Sequence, residues 1–385
     1  MRICIVYDCL FPWTVGGAER WYRNLAERLA HDGHDVTYLT RLQWGADDAP
    51  DLPGVRVLAV SPAEPLYGPD GNRRIGQALR FGRGVLGHLL RHGRGYDVVH
   101  TASFPYFSVL AAGLVAPWAR FDLVVDWFEV WSRHYWATYL GGLQGRVGYL
   151  VQRLCVLVPQ RAYCFSRLHR DRLVAEGIRS RPELLAGAYV GSLEPPQPNA
   201  AGPIVMFAGR HIREKRAPAL VPAIARARRT VPALLGAVYG DGPEHGAVLD
   251  AIAAAGLADV VEAPGFVDLA VVEHAMRDAL CLVLPSEREG YGMVVVEAAS
   301  QGTPSVVVRA EDNAAVELVE DGVNGVVADS ASPEDLAAAI VRVHAAGDGL
   351  RASTCAWFAR NARRLSLASS LEQVSARYVA RSARS

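Results

Sequence analysis

The chain of 385 residues lacks an excess of charge of either sign: forty Lys and Arg face forty Asp and Glu. That balance removes any global electrostatic reason to expect nucleic acid as a partner. Paired cysteines are also missing. Cys4, Cys9, Cys155, Cys164, Cys281 and Cys355 lie far apart with no Cys-x-x-Cys among them, and Cys4 and Cys281 sit inside apolar runs. Scattered thiols of this kind argue against a disulfide framework or a zinc site and predict a reducing, cytoplasmic setting. No cluster of His, Cys and carboxylates has metal-ligand spacing, so no metal is expected. Met1–Leu10 is apolar, but Asp8 interrupts it and no basic region precedes it, so it is not read as a signal peptide. Val98–Ala119 is the stretch that tempts a membrane reading, being free of Asp, Glu, Lys and Arg. It holds His100, Pro105 and Pro117, and divides instead into the end of a strand and a buried helix.

What is present is a repeated alternation of strand, loop and helix. Its length exceeds the roughly 250–300 residues at which one core stops growing, so two domains are expected. Strands are predicted at Arg2–Tyr7, Asp35–Thr40, Val55–Val60, Tyr96–His100, Leu123–Asp126 and Arg161–Phe165, with a helix over Gly17–His31 and others between most strands. This rhythm implies parallel sheets covered on both faces. Gly191–Pro203 breaks it with four prolines among small polar residues, and is the expected linker. The rhythm restarts at Ile204–Ala208 and continues through Leu234–Tyr239, Val260–Glu262, Ala279–Leu284 and Ser305–Val308. From about Pro333 the chain reads as helix, with Ser332 placed as cap and Pro333 at the first helical position. The expected organisation is a Rossmann-like domain over 1–190, a linker over 191–203, a second Rossmann-like domain over 204–360, and a helical tail over 361–385 that can return to the first domain. Two such units leave a cleft at the carboxyl ends of their strands, where open α/β sheets bind ligands.

The most informative segment is Leu284–Val308. A strand runs into Pro285–Ser286, a turn follows at Glu289-Gly290-Tyr291-Gly292, and a helix is predicted from about Met293. Glu289 and Glu297 are eight residues apart, so two carboxylates can grip hydroxyls at two ends of one elongated ligand. The glycines between them allow close backbone approach, and the helix start offers free N–H groups to a phosphate. Glu297 precedes Ala298-Ala299 on an apolar helix, which a merely solvated carboxylate would not explain.

This segment resembles the Pro-Ser-x-x-Glu-Gly-Phe-Gly…Glu-Ala signature of the family 4 retaining glycosyltransferases, the glycosyl transferases group 1, which share the GT-B fold. The resemblance extends, in order, through Gly16-Gly17-Ala18-Glu19, Gly209-Arg210…Lys215, Gly240-Asp241-Gly242-Pro243-Glu244 and Gly265-Phe266-Val267. It implies two Rossmann-like domains whose parallel sheets face each other across a cleft. It further implies a hexosyltransferase taking a hexosyl unit from a nucleoside diphosphate sugar, linked to UDP or GDP, to an acceptor hydroxyl without metal or cofactor. Carried over residue by residue, Glu289 meets the donor hexose and Glu297 the ribose. The backbone of Gly290, Tyr291, Gly292 and Met293 lines the sugar and diphosphate, and the backbone at Val267 meets the base. Arg210 and Lys215 match the phosphate-binding pair, and Gly16-Gly17 reaches the donor diphosphate. Independently of the resemblance, an Arg fork and a Lys point charge suit a leaving diphosphate, whose negative charge fixed cations stabilise without reorganising. A solvent-facing pair of cations is the plain alternative. The loop at Gly16-Gly17 does not follow Gly-x-Gly-x-x-Gly, so nicotinamide binding has little support there, and a ligand-free tight turn remains open.

One departure stands out in Trp127-Phe128-Glu129-Val130-Trp131: many relatives place a histidine near Phe128, and phenylalanine cannot move a proton. Asp126 and Glu129 flank it, and either can face the cleft. Trp127, Trp131, Tyr135 and Trp136 read first as core, and otherwise as a stacking wall for an acceptor ring. His100 reads as a satisfied structural histidine. Asp47-Asp48 lacks the Asp-x-Asp spacing that metal-dependent transferases use. Gly71–Tyr96 contains six arginines and no acid; it reads as a solvated helix face, or as a surface for an anionic acceptor or a peripheral membrane contact. The acceptor, whether saccharide, glycolipid or small molecule, is not encoded legibly. Two rivals share the architecture: a nucleotide-sugar epimerase and a non-catalytic sugar-nucleotide-binding protein.

Overall fold

The computed structural model describes residues 1–45, 47–66, 68, 73–197 and 199–382, with the backbone alone for 380–382. It divides into two compact units, one of Met1–Ala188 with the chain from Leu367 onward, the other of Tyr189–Ser366.

The first unit runs β1 (Arg2–Val6), α1 (Gly17–His31), β2 (Asp35–Arg41), β3 (Val55–Ser61), α2 (Ile75–His92), β4 (Val98–Ala102), α3 (Phe107–Ala119), β5 (Asp122–Trp127), α4 (Arg133–Leu140), α5 (Gly142–Leu157), β6 (Arg161–Cys164), α6 (Arg167–Ala175) and β7 (Glu183–Leu184). The strands form one parallel sheet in the order β3-β2-β1-β4-β5-β6-β7. β1 and β4 are buried along nearly their whole length, as strands at the centre of a parallel sheet covered on both faces must be. On α1 the buried Trp21, Tyr22, Leu25, Ala26 and Leu29 recur at helical spacing on one face. Ser132 caps α4 and Ser166 caps α6, each accepting from an amide in the first turn.

The second unit runs β8 (Ile204–Ala208), α7 (Leu220–Ala227), β9 (Leu235–Tyr239), α8 (His245–Ala255), β10 (Val261–Gly265), α9 (Leu269–Asp278), β11 (Cys281–Leu284), β12 (Arg288–Glu289), α10 (Met293–Ser300), β13 (Ser305–Val308), β14 (Asp312–Asn313), β15 (Gly325–Ala328) and α11 (Pro333–Leu365). Its parallel sheet has the order β10-β9-β8-β11-β13-β15, and β12 pairs with β14 as a separate two-stranded piece. In both sheets the third, second and first strands precede the fourth, fifth and sixth, the doubly wound arrangement. The strand order reverses between β1 and β4 in one unit and between β8 and β11 in the other, and such switch points open a crevice at the strand ends. Ser332 caps α11 by accepting from the Asp335 amide, and a break at Gly347 (φ 53°) bends the helix. Residues 191–203 contain no helix or strand among those described.

The last helix, α12 (Leu367–Ser382), packs against α1 of the first unit. Its anchoring is polar as well as apolar. Ser375 donates to Asp32, Arg377 meets Glu183 at 3.1 Å, and the Tyr378 hydroxyl lies 2.8 Å from His100 Nδ1 in the interior. His100 is fully buried, and its Nε2 lies 2.9 Å from Asp126 Oδ1. An ionised Asp126 can only accept, so His100 donates from Nε2, and a neutral ring then accepts from the phenol at Nδ1. Replacing Tyr378 by Phe deletes one buried bond and is expected to cost about 1 kcal/mol, or about 2–4 °C of melting temperature. Calorimetry checks this, and an unchanged midpoint would count against the bond.

Two readings are refined here. Val98–Ala119 does split into strand and helix, but α3 is not wholly buried, because Leu114 and Trp118 project outward. Trp127, Trp131, Tyr135 and Trp136 all lie in the first unit's core. Among the described residues no helix is long and apolar enough to cross a membrane. All six cysteines are buried and unpaired.

Candidate functional site

Of the expected site residues of the second unit, Arg210, Lys215 and Glu289–Gly292 lie on the loops that leave β8 and β11, at the switch point, while Met293 and Glu297 lie on α10 and Val267 follows β10. The β8 loop turns at Gly209 into Arg210, passes a single helical turn at Arg213–Lys215, and reverses at Arg216 (φ 49°). It lies directly against the loop after β9: Gly209 N donates to Tyr239 O at 3.1 Å and His211 N to Asp241 O at 2.8 Å. Gly240 has no alternative in this contact. Its φ is 121°, and a Cβ there would stand 1.9 Å from the Gly209 carbonyl oxygen. His211 Nδ1 lies 3.1 Å from His245 Nδ1, and burial together with that neighbouring imidazole lowers its pKa.

The β11 loop is tied to the β8 loop and to the chain after β13. Glu287 N donates to Glu214 O at 2.8 Å, Arg216 pairs with Glu287 at 2.8 Å, and Arg288 approaches Glu214 at 3.3 Å. The pairing of β12 with β14 sets Arg288 opposite Asp312 and Glu289 opposite Asn313. Asn313, buried, spends its amide on Ser286 O and Val308 O and its carbonyl oxygen on the Ala315 amide, so it pins the loop from below. Glu289 is thereby held with a single carboxylate oxygen between two donors: Lys215 Nζ at 2.6 Å and Ser286 Oγ at 2.8 Å. Both partners are largely buried, Lys215 at 21 % and Glu289 at 11 % side-chain exposure, which sets this pair apart from the surface ion pairs.

Beyond Glu289 the chain passes Gly290 and Tyr291, the latter half-buried against the core, and reaches Gly292, which caps α10 in the left-handed region (φ 92°). A Cβ on Gly292 would stand 2.5 Å from that of Ala315. Gly292 thus lets α10 begin against the turn that follows β14, with Met293 as its first residue. The first-turn amides of a helix have no partner inside it and carry its positive dipole end. Glu297 lies one turn further, half-buried on α10, so the two glutamates sit on separate elements rather than on one continuous helix. Val267 is partly buried beside Met206 and Tyr239, while Phe266 before it is 82 % exposed. Arg210 is exposed on the β8 loop.

In the first unit, Gly16 caps α1 in an extended conformation with Gly17 as the first helical residue, both on the loop after β1. The Glu19 carboxylate folds back to Gly16. Phe128 stacks on Phe165 with ring centres 4.5 Å apart and meets Tyr22 edge-on. Of its two acidic neighbours, Asp126 is buried between His100 and Trp21 Nε1, and Glu129 accepts from Trp131 Nε1. Asp48 accepts from Trp13 Nε1 at 2.7 Å. Among the described residues no group of three or more His, Cys, Asp or Glu could hold a metal ion. Gly71 and Asn72, the start of the arginine-rich stretch, lie outside the described residues.

Ser286 and Asn313 are contacts that sequence reasoning did not single out. Ser286 at least belongs to the Pro-Ser pair of the motif; Asn313 lies in Ala310–Ala315, which carries no periodic signal.

Comparison with known proteins bears on family and fold. The family model described as "Glycosyl transferase 4-like domain" matches residues 16–186, and that described as "Glycosyl transferases group 1" matches residues 194–364. A D-inositol 3-phosphate glycosyltransferase from Xylanimonas cellulosilytica is 30 % identical over 372 residues, covering 89 % of this chain and 86 % of that protein. Among solved structures, sucrose-phosphate synthase from Thermosynechococcus elongatus is similar across 100 % of both chains, with a TM-score of 0.77 at 18 % identity. The Anabaena protein HepE, in complex with UDP and glucose, is similar over 98 % of this chain and 99 % of its own, with a TM-score of 0.72 at 19 % identity. With both domain models matched in chain order, and a relative aligned along most of both sequences, the chain belongs to the group 1, family 4 glycosyltransferases of GT-B fold.

Proposed function

We propose that this glycosyltransferase moves a hexosyl unit from a nucleoside diphosphate sugar, linked to UDP or GDP, to an acceptor hydroxyl, with retention at the anomeric carbon and without a metal ion. The observation that carries the reading is the 2.6 Å contact of Lys215 with Glu289 at the switch point of the second sheet. In the absence of ligand this pair holds a cation neutralised by a carboxylate. A donor offers both a better partner: its diphosphate takes Lys215, and its hexose hydroxyls take Glu289. HepE, in complex with UDP and glucose, supports a uridine donor by analogy of fold.

In this reading Arg210, Lys215 and the start of α10 stabilise the charge that builds on the diphosphate as the sugar–phosphate bond breaks. Glu297 holds the ribose, the backbone of Gly290–Met293 lines the sugar and diphosphate, and the backbone at Val267 meets the base. Gly16 and Gly17 serve the donor diphosphate from the first unit. The acceptor oxygen forms its bond to the anomeric carbon on the face that the phosphate leaves, and its proton passes to the departing phosphate oxygen. No protein base is needed, so Phe128 is compatible with turnover. Fixed cations supply the charge that a divalent ion supplies in other transferases. The acceptor is a hydroxylated compound; the relative named for D-inositol 3-phosphate supports a polyol.

Incubation with a panel of UDP- and GDP-hexoses and candidate acceptors, read by mass spectrometry, tests the reading. Acceptor-dependent release of nucleotide with a product heavier by one hexose, unaffected by chelator, is expected. A donor altered with no acceptor present would make the protein an epimerase, and nucleotide binding without release would make it a binding protein.

A further inference from the structure

One face of the first unit carries a surface that the transfer chemistry leaves unused. The connections from β3 to β4, β4 to β5 and β5 to β6 all step the same way along the sheet, whereas β1 to β2 steps the other way. Right-handed crossovers therefore put α2, α3 and α5 together on one face, with α1 on the opposite one. α3 packs against both α2 and α5, and the Arg94 guanidinium lies 4.4 Å over the Trp118 ring, joining the ends of α2 and α3.

The outward side of these helices is apolar in register. On α5, Leu143, Val147, Leu150, Leu154 and Leu157 are all exposed, Leu143 at 77 %. Their spacing of four and three confines them to an arc of about 80°. On α2, the exposed Ile75, Leu79 and Leu90 fall within about 60° of one another. Leu114, at 71 %, and Trp118 extend the same surface on α3. Isolated exposed leucines are ordinary, but aligned rows on three adjacent helices are not.

Charge selects the occupant. The helices α2 to α5 contain Arg80, Arg83, Arg91, Arg133, Arg146 and Arg153 and no Asp or Glu, in a chain that is neutral as a whole. Acids reach this set from elsewhere at Glu64, which pairs with Arg80, and Glu176, which pairs with Arg153. The α5 spacing also suits pairing with a second copy of itself. In such a pair Arg146 and Arg153 would flank the seam beside Gln144 and Val151, with no acid on α5 to oppose them. A sheet of lipid phosphates, by contrast, meets the arginines while the leucines and Trp118 leave water. We propose that the α2–α3–α5 face docks on the surface of a bilayer rich in anionic phospholipid, its apolar rows entering the headgroup boundary between flanking arginines. The inference is independent of the donor reading, because none of these residues belongs to the β8 and β11 loops.

Sedimentation of the full-length protein with sucrose-loaded vesicles tests it. The protein is expected to pellet with an equal mixture of phosphatidylcholine and phosphatidylglycerol, to stay in solution with phosphatidylcholine alone, and to be released by raised salt. The variant Leu143→Ser/Leu150→Ser/Leu154→Ser alters only exposed side chains, so its melting temperature should be unchanged while vesicle partitioning falls about tenfold or more. Arg83→Glu/Arg146→Glu should weaken binding comparably, and only to the anionic vesicles. Absence of binding to the mixed vesicles overturns the proposal. So does full vesicle binding by the leucine variant, or a shift of that variant from dimer to monomer by light scattering with its vesicle binding intact.

Discussion

Lys215→Ala is expected to lower turnover by about 10²–10³-fold, the scale of removing one preorganised donor from a developing negative charge. The side chain sits where that loss cannot be made good. Its side chain is 21 % exposed, and the loop behind it is clasped by the Glu287 amide to Glu214 and by the Arg216–Glu287 pair. Stability should fall by about 1–3 kcal/mol, because the largely buried Glu289 carboxylate loses its cation and keeps only Ser286 Oγ as a donor. Lys215→Arg restores the charge but spreads it over a planar fork, and should recover only part of the rate.

Glu289→Ala separates this account from a merely structural ion pair. Removing the carboxylate leaves Lys215 unneutralised, so UDP, which carries the diphosphate without the hexose, should bind as well as before or more tightly. Turnover should still fall about 10²-fold, because hexose hydroxyls lose the acceptor that orients them. Calorimetric titration with UDP or GDP, together with steady-state kinetics, reads the two quantities apart. A pair that only holds loops together predicts weaker nucleotide binding in Glu289→Ala as well, where this account predicts binding undiminished or tighter. Near-wild-type turnover in Lys215→Ala would remove the cation from the mechanism.

The parts of this fold that were legible are those whose signal is local. Ile204–Ala208, between Pro203 and Gly209, and Ser305–Val308, after Pro304, are short apolar runs, and they are strands with those limits. The start of α10 at Met293 follows from the glycines before it. β15, Gly325–Ala328, was hidden because its four residues follow Asp321-Gly322-Val323-Asn324, which reads as a turn, and only pairing with β13 makes it a strand. At the candidate site the two glutamates and two cations were legible as types in a pattern. What orients Glu289 was not, since Ser286 and the β12–β14 pairing depend on a contact between Glu289 and Asn313 that no local period announces. α5 was unreadable for a related reason: a leucine-rich helix in an α/β chain is ordinarily core, yet the fold buries mainly Gly145, Gln152, Cys155 and Val156 and turns its leucines outward. Asp126 could not be ranked against Glu129 from sequence, because its partners Trp21 and His100 lie on α1 and β4.

Asp126→Ala is expected to be the most destabilising of the polar changes in the first unit. The carboxylate is fully buried and accepts from Trp21 Nε1 at 2.7 Å and His100 Nε2 at 2.9 Å, joining α1, β4 and β5. Truncation leaves two buried donors with no acceptor, each costing about 1–3 kcal/mol, so a loss of about 3–5 kcal/mol and about 10 °C of melting temperature should follow. Asp126→Asn should be milder, for a reason the network itself supplies. Its amide oxygen can serve Trp21, but its NH₂ then faces the Nε2–H of His100, donor against donor. The imidazole can escape by moving its proton to Nδ1, provided that the Tyr378 hydroxyl turns from donor to acceptor. A phenol can make that exchange and a phenylalanine cannot. The pair Asp126→Asn and Tyr378→Phe should therefore be worse than the sum of its parts by about 0.5–2 kcal/mol, since the exchanged tautomer would leave Nδ1–H buried and unpaired. Denaturant unfolding of the two single variants and the double variant measures that coupling. Additivity within about 0.3 kcal/mol would mean that α12 is held by its apolar contacts, with His100 relaying nothing between Tyr378 and Asp126.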